Sequence, residues 1–168
     1  MPHAFRNPVP ADAARCFDIE STAYDAGSAA PKASIAKRIA QYPAGFLLLE
    51  IEGAIVGFIN SGCAHQVEMA DHDFKDMIGH DPKAPHIVIM SVVVDPKFQG
   101  QGLAKALMQE FIKRAADMKK QTVQLMCREH LIPFYGSFGF RYIRPSASDH
   151  GGVEWHEMTL DLSPTLAR

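Results

Sequence analysis

Two glycines, Gly100 and Gly102, stand between an apolar run, IVIMSVVVD, and an amphipathic stretch, LAKALMQEF. The chemistry suited to such a turn is anion binding. The start of a helix leaves N–H groups without partners and carries a partial positive charge. A glycine has no side chain to keep a phosphate from those amides. Gln99 and Gln101 flank the glycines and shape the turn, while Leu103, Leu107, Phe111, Ala115 and Met118 recur on one face and anchor the helix behind it. A pyrophosphate is the expected ligand. The phosphate loop of nucleotide triphosphatases is excluded, because its spacing and its Lys-Ser/Thr pair are missing. A dinucleotide fingerprint fails at Lys105, where its third glycine belongs.

Other reactive residue types are scattered. Cys16, Cys63 and Cys127 lie far apart and form no C-x-x-C, so they read as reduced thiols of a cytoplasmic protein. Cys127 lies mid-strand with no His or Asn partner to identify it as a nucleophile. His65, His72 and His80 are spaced by seven and eight residues, which suits no compact ligand motif, and no metal is expected. Segment 64–85 is acidic, with Glu68, Asp71, Asp73, Asp76 and Asp81 against Lys75 and Lys83. It reads as a solvated loop, or as a charge that draws in an ammonium ion. The net charge of −2 offers no footprint for nucleic acid. No apolar run reaches bilayer length and no signal-peptide pattern opens the chain, so a membrane partner is not expected either.

These residues need a scaffold, and 168 residues at 47% hydrophobic are enough for one domain with its own core, residues 1–168. HAFRNPV reads as a first strand. PADAARCFDIESTAY follows as a helix started by Pro10 and Asp12, with Ala14, Phe17, Ile19 and Ala23 inward. After a loop, DAGSAA, a second helix runs from about Pro31 to Gln41. GFLLLEIEGAIVGFINSGCA is a hairpin about Glu52-Gly53. One helical turn is expected near Phe74 to Ile78. HIVIMSVVVD lacks polar alternation and reads as a strand mostly buried on both faces. A helix from Leu103 to about Met118, a strand TVQLMCR, a short helix LIPFYGSF, a segment FRYIRP and a strand VEWHEMTLDL complete an α/β pattern.

The glycine turn also satisfies Gln/Arg-x-x-Gly-x-Gly/Ala through Gln99, Gly102 and Ala104. That pattern resembles the coenzyme A signature of the GCN5-related N-acetyltransferases, and VVVDPKFQGQGLAKALM follows the family closely. LMCREHLIPFYGSFGFRY is similar to the family's later strand–helix block, especially in the arylalkylamine (serotonin-type) branch. The resemblance implies a mixed, twisted sheet flanked by helices, with splayed central strands holding acetyl-CoA as cosubstrate. It implies that Val92, Val93 and Val94 pair with the pantetheine arm and that Gln99, Gly100, Gln101, Gly102, Leu103 and Ala104 receive the pyrophosphate. Phe134 would pack beside the cofactor or in the core. Tyr135 matches the tyrosine that protonates the departing sulfur; its plainer reading is a core aromatic capping the short helix.

Acetylation of an amine needs a base, because an alkylammonium has a pKa near that of lysine, about 10.4. It also needs a donor for the oxyanion and an acid for the thiolate. The vertebrate arylalkylamine branch carries two histidines on the strand before the motif, where this chain has Val88 and Met90. His86, one side-chain step away on the same face, could hold a water that relays the proton; it could equally be a structural histidine opening the strand. Glu20 and Glu50 compete for the role. Phe17, Tyr24, Phe46, Phe58 and Trp155 are candidates for recognising an aromatic acceptor, or are core. The acceptor is expected to enter near residues 22–35, 64–86 and the C-terminal strands. The expectation is direct transfer to a small primary amine, in a monomer or a homodimer. Polyamine or protein lysine and N-terminal acetylation are alternatives, and a non-catalytic coenzyme A-binding module is another.

Overall fold

The computed structural model describes residues 3–24, 29–148 and 152–162. Its strands are β1 (His3–Arg6), β2 (Leu47–Ile51), β3 (Ala54–Ala64), β4 (His86–Val94), β5 (Thr122–Cys127), β6 (Arg141–Pro145) and β7 (His156–Asp161). The helices are α1 (Ala13–Ala23), α2 (Lys32–Gln41), α3 (Leu103–Asp117) and α4 (Ile132–Gly136). The strands hydrogen-bond in the order β1-β2-β3-β4-β5-β7-β6. Pairing is antiparallel between β1 and β2, β2 and β3, β5 and β7, and β6 and β7, and parallel between β4 and β5. The element pattern read as α/β, and the mixed sheet with helices is the one that the family resemblance implied. No helix among the described residues is long and apolar enough to cross a membrane.

The chain packs as two compact units, one of residues 1–61 with 91–111, the other of 62–90 with 112–168. In the first, α1 and α2 bring Cys16, Ile19, Ile35 and Ile39 onto Phe46 and Phe58 of the hairpin region. Ala13 rather than Ala14 is the buried alanine of α1, while Phe17, Ile19 and Ala23 lie in or against the core as read. The hairpin turn is as read: Glu52 and Gly53 both have positive φ, 51° and 80°, which matches the twist of the flanking strands. Loop residues 25–28 of DAGSAA lie outside the described residues.

In the second unit, β5 alternates. Val123, Leu125 and Cys127 are buried, whereas Thr122, Gln124 and Met126 are half-buried on the opposite face. Leu125 pairs with Met158 and Cys127 with His156, so the buried face of β7 is His156 and Met158. The final strand begins at His156, leaving Val153, Glu154 and Trp155 before it. The helical turn of the acidic segment is a 3-10 turn, His72–Asp76, slightly earlier than its apolar residues suggested, because Asp71 caps it by accepting the N–H of Asp73. Lys120 ties down the end of that segment: its ammonium donates to the carbonyls of Pro82 and Ala84 at 2.6 and 2.8 Å.

Candidate active site

β4 ends in a turn built almost wholly from backbone. Asp95 donates its N–H to Val56 at 2.8 Å. Its carboxylate accepts the N–H of Lys97 at 3.0 Å and the Arg15 guanidinium at 2.8 Å. Arg15 also donates to the carbonyl of Ile55, so α1 braces the turn. Burial alone would raise the Asp95 pKa, but the Lys97 amide and Arg15 outweigh it and hold the group below the usual carboxylate value. The chain then passes Gly100 and Gly102 at φ of 82° and 77°, in the left-handed region that glycine enters without penalty. A side-chain carbon placed on either would meet nothing within 4 Å. The space before the turn is therefore open.

The first bond of α3 runs from Ala106 to Gly102. The amides of Leu103, Ala104 and Lys105 thus precede the helical ladder, at its positive end. Leu103 and Leu107 are buried and hold the helix in place; Gln99, Gly100, Gln101 and Gly102 are exposed. An open, glycine-lined row of amides before a 15-residue helix fits the pyrophosphate of a coenzyme. β3 lies close against the strand that feeds it: a side-chain carbon on Gly57 would sit 2.8 Å from the Val93 carbonyl.

The residues nominated for proton chemistry belong to the second unit. Tyr135 is 6% exposed, in α4. Its ring packs edge-on to Phe134 at 5.0 Å and Phe140 at 5.9 Å, and Phe134 in turn meets Phe138 at 5.2 Å. Gly139, at φ 99°, makes the return to Phe140. His86 opens β4, and its Nδ1 lies 2.7 Å from the Thr122 hydroxyl, which also accepts from Gln124 at 3.0 Å. These side chains line a groove of about 450 Å³ with Arg141, Arg144 and Glu157. The groove is polar because it lies on the half-buried face of β5. Pairing of β4 with β5 covers His86–Val88 against Thr122–Gln124 and does not continue at Ile89 and Met90. Val88 is buried, and Met90 packs with Phe74 over Gly62, where an added side-chain carbon would lie 2.9 Å from both.

The competing candidates are engaged elsewhere. Glu50 accepts from Arg6 at 2.8 Å. Glu20 is 1% exposed and accepts the N–H of Ala30. Phe46 and Phe58 are fully buried and stacked at 5.5 Å, which makes them core residues. Tyr24 instead sends its hydroxyl to the carbonyl of Val92 at 2.8 Å. His65 pairs with Asp81, while the Nδ1 of His80 accepts the N–H of Cys63 at 2.9 Å. Among the described residues, no three His, Cys, Asp or Glu side chains gather to hold a metal. Burial pushes the Cys127 thiol up to about 11, a poor starting point for a nucleophile. Two features escaped sequence reasoning: the Arg15–Asp95 brace and the Tyr24–Val92 bond. Both join residues far apart in the chain, and no local spacing signals them.

A sheet strand running into a glycine turn and a helix, with its amides open, is an arrangement suited to a phosphorylated cosubstrate. A model of the acetyltransferase (GNAT) family matches residues 13–140, and the chain belongs to that family. Over 52 residues the chain is 38% identical to the uncharacterized N-acetyltransferase ycf52 of Porphyra purpurea, a stretch covering 31% of this chain and 30% of that relative. It therefore spans under a third of that curated relative's length. Among solved structures, the loading GNATL domain of CurA from Lyngbya majuscula superposes with a TM-score of 0.86 at 18% identity, covering 98% of this chain and 100% of that one. The GphF GNAT-like decarboxylase, in complex with isobutyryl-CoA, gives 0.81 at 19%, covering 95% and 99%. YncA of Salmonella typhimurium, with its cofactor acetyl-CoA, gives 0.70 at 20%, covering 96% and 95%. At such identities the likeness is one of fold.

Proposed function

We propose that this chain is a single acyltransferase domain that moves the acetyl group of acetyl-CoA to a small primary amine, with an arylalkylamine as the first acceptor to try. The observation that carries the reading is the open turn at Gly100 and Gly102 in front of α3. On this reading the pyrophosphate rests on the amides of Gln101 to Ala104, with Gln99 and Gly100 shaping the turn. The pantetheine arm adds along Val92, Val93 and Val94 as a strand would. The amine attacks the thioester carbonyl directly in a ternary complex, where proximity supplies much of the rate. The new C–N bond forms and the C–S bond breaks; Tyr135 gives its phenolic proton to the departing thiolate and is reprotonated by the proton that the acylated nitrogen sheds. The surplus proton of the ammonium leaves through water held by His86.

The relatives with acetyltransferase names and the fold shared with an acetyl-CoA complex support this reading. Its test is coenzyme A release, followed as free thiol, against phenethylamine, tryptamine, serotonin, spermidine and a lysine peptide. Rapid turnover on aromatic amines supports the branch. Turnover confined to spermidine or the peptide keeps the chemistry and replaces the acceptor.

A second reading draws on Val88 and Met90, apolar where a base would stand, and on the fold shared with a decarboxylase. Loss of CO2 from a malonyl-type thioester breaks a C–C bond, places the electron pair on the thioester oxygen as an enolate, and ends with protonation at carbon. It requires an oxyanion donor and an acid, but no base for an ammonium. Formation of acetyl-CoA from malonyl-CoA without any amine would favour it.

A further inference from the structure

The last residues of β4 have different partners on their two edges. Toward β3, the Val93 carbonyl lies against Gly57 and the Asp95 N–H donates to Val56. Backbone groups of successive residues in an extended strand point to opposite edges. The carbonyls of Val92 and Val94 therefore point away from β3. Side chains take both: the Tyr24 hydroxyl donates to Val92 at 2.8 Å, and the Gln99 amide nitrogen donates to Val94 at 3.2 Å. Main-chain carbonyls withdrawn from water need donors. Here the donors come from the end of α1 and from the phosphate turn, in place of a neighbouring strand.

These are the two carbonyls that an amide-bearing chain laid along this edge would need. Tyr24 is well placed to serve as a donor. Burial, then the nearby charge of Glu20, pushes its phenol up to about 12, so it keeps its proton. Its own N–H closes α1 by donating to Glu20.

Resting on the acyl-CoA reading above, we propose that the Tyr24 hydroxyl is a stand-in for a pantetheine amide, holding the Val92 carbonyl until the cosubstrate's arm displaces it. Binding of the arm and release of Tyr24, the residue that caps α1, are then one event. Gln99 makes the same exchange at Val94. The nucleotide end of the cosubstrate, which meets only the glycine turn, leaves Tyr24 in place.

The experiment labels the protein with 3-fluorotyrosine; the chain has four tyrosines, and the resonance lost in Tyr24→Phe is that of Tyr24. Saturating coenzyme A should shift this resonance, whereas adenosine 3′,5′-bisphosphate, which has phosphates but no pantetheine, should leave it unmoved. Tyr24→Phe should bind coenzyme A roughly two- to tenfold more tightly, the size of one lost competing hydrogen bond, with its bisphosphate affinity unchanged. A Tyr24 resonance that ignores bound coenzyme A, or that responds equally to the bisphosphate, overturns the proposal. So does a variant that binds coenzyme A no better than the wild type. If the variant does not fold, the Tyr24 resonance is assigned by elimination, from the resonances lost in Tyr42→Phe, Tyr135→Phe and Tyr142→Phe, and the titration still decides. Failure of wild-type protein to bind coenzyme A in calorimetry overturns the acyl-CoA reading itself.

Discussion

The glycine turn and the α4 region illustrate two ways of making a site. On the proposed reading the turn from Asp95 to Ala104 works through main-chain amides, with its glycines and helix start close in sequence and its brace, Arg15, far away. On the same reading Tyr135 and His86 act through side chains, whose environments depend on partners such as Phe140 and Thr122. A backbone site is intolerant of a changed φ and of a side chain that fills the space before its amides. A side-chain site is the reverse: it survives small backbone adjustments and fails when one functional group is removed.

The comparison can be broken most directly at Gly102. Replacing it with Val imposes a β-branched residue on a φ of 77° and places methyl groups in the open space before the helix. Acetyl-CoA KM should rise by about 100-fold or more, which is roughly 2.7 kcal/mol, with at most a modest fall in the thermal midpoint. A near-normal KM would show that the amide row does not bind the cosubstrate. Next, Tyr135→Phe keeps the aromatic packing and removes the proton. We expect kcat to fall about 100-fold while acetyl-CoA affinity, by calorimetry, stays within about twofold. Equal loss in both would make Tyr135 a packing residue.

Smaller effects sharpen the contrast. Gly57→Ala sets a methyl 2.8 Å from the Val93 carbonyl, a backbone atom that cannot simply rotate away. Denaturant titration should show a loss of about 1–3 kcal/mol. Asp95→Asn keeps the cap on Lys97 but loses the charge that Arg15 meets. Because Arg15 is 41% exposed, that change should cost about 1 kcal/mol or less near neutral pH. The folded state holds Asp95 and Asp12 below their ordinary values. Their contribution is therefore fully present above the ordinary carboxyl pKa of about 3.9 and is lost as pH falls through the depressed values. The variant should show a shallower acid limb in thermal midpoint against pH; an unchanged limb would remove Asp95 from that account. His86→Gln should have the smallest effect, lowering kcat/KM for the amine about threefold or less. A kcat/KM equal to that of the wild type would exclude the relay.

Much of the scaffold was legible because its signals are local. Ile35 and Ile39 recur at helical spacing, Glu52-Gly53 marks a hairpin, and the uninterrupted apolar run of β4 announces a buried strand. The relief in that burial at His86, Met90 and Val92 was not legible, since an unbroken apolar run carries no sign of which of its residues the packing leaves half-buried. The extent of the final strand was also overestimated. Alternation extends back through Trp155, but pairing to β5 starts only at Cys127 and His156.

Sequence alone determined the glycine turn, its helix and the family pattern they carry, because φ and amphipathic spacing are properties of neighbouring residues. It also nominated Tyr135, through a motif contained in eight residues. Only the tertiary structure decided that Arg15 braces Asp95, that Tyr24 reaches Val92, and that Met90 and Phe74 both close on Gly62. Each of those contacts joins segments separated by twelve or more positions. Chain folding, and not spacing, sets which side chain meets which carbonyl at that range.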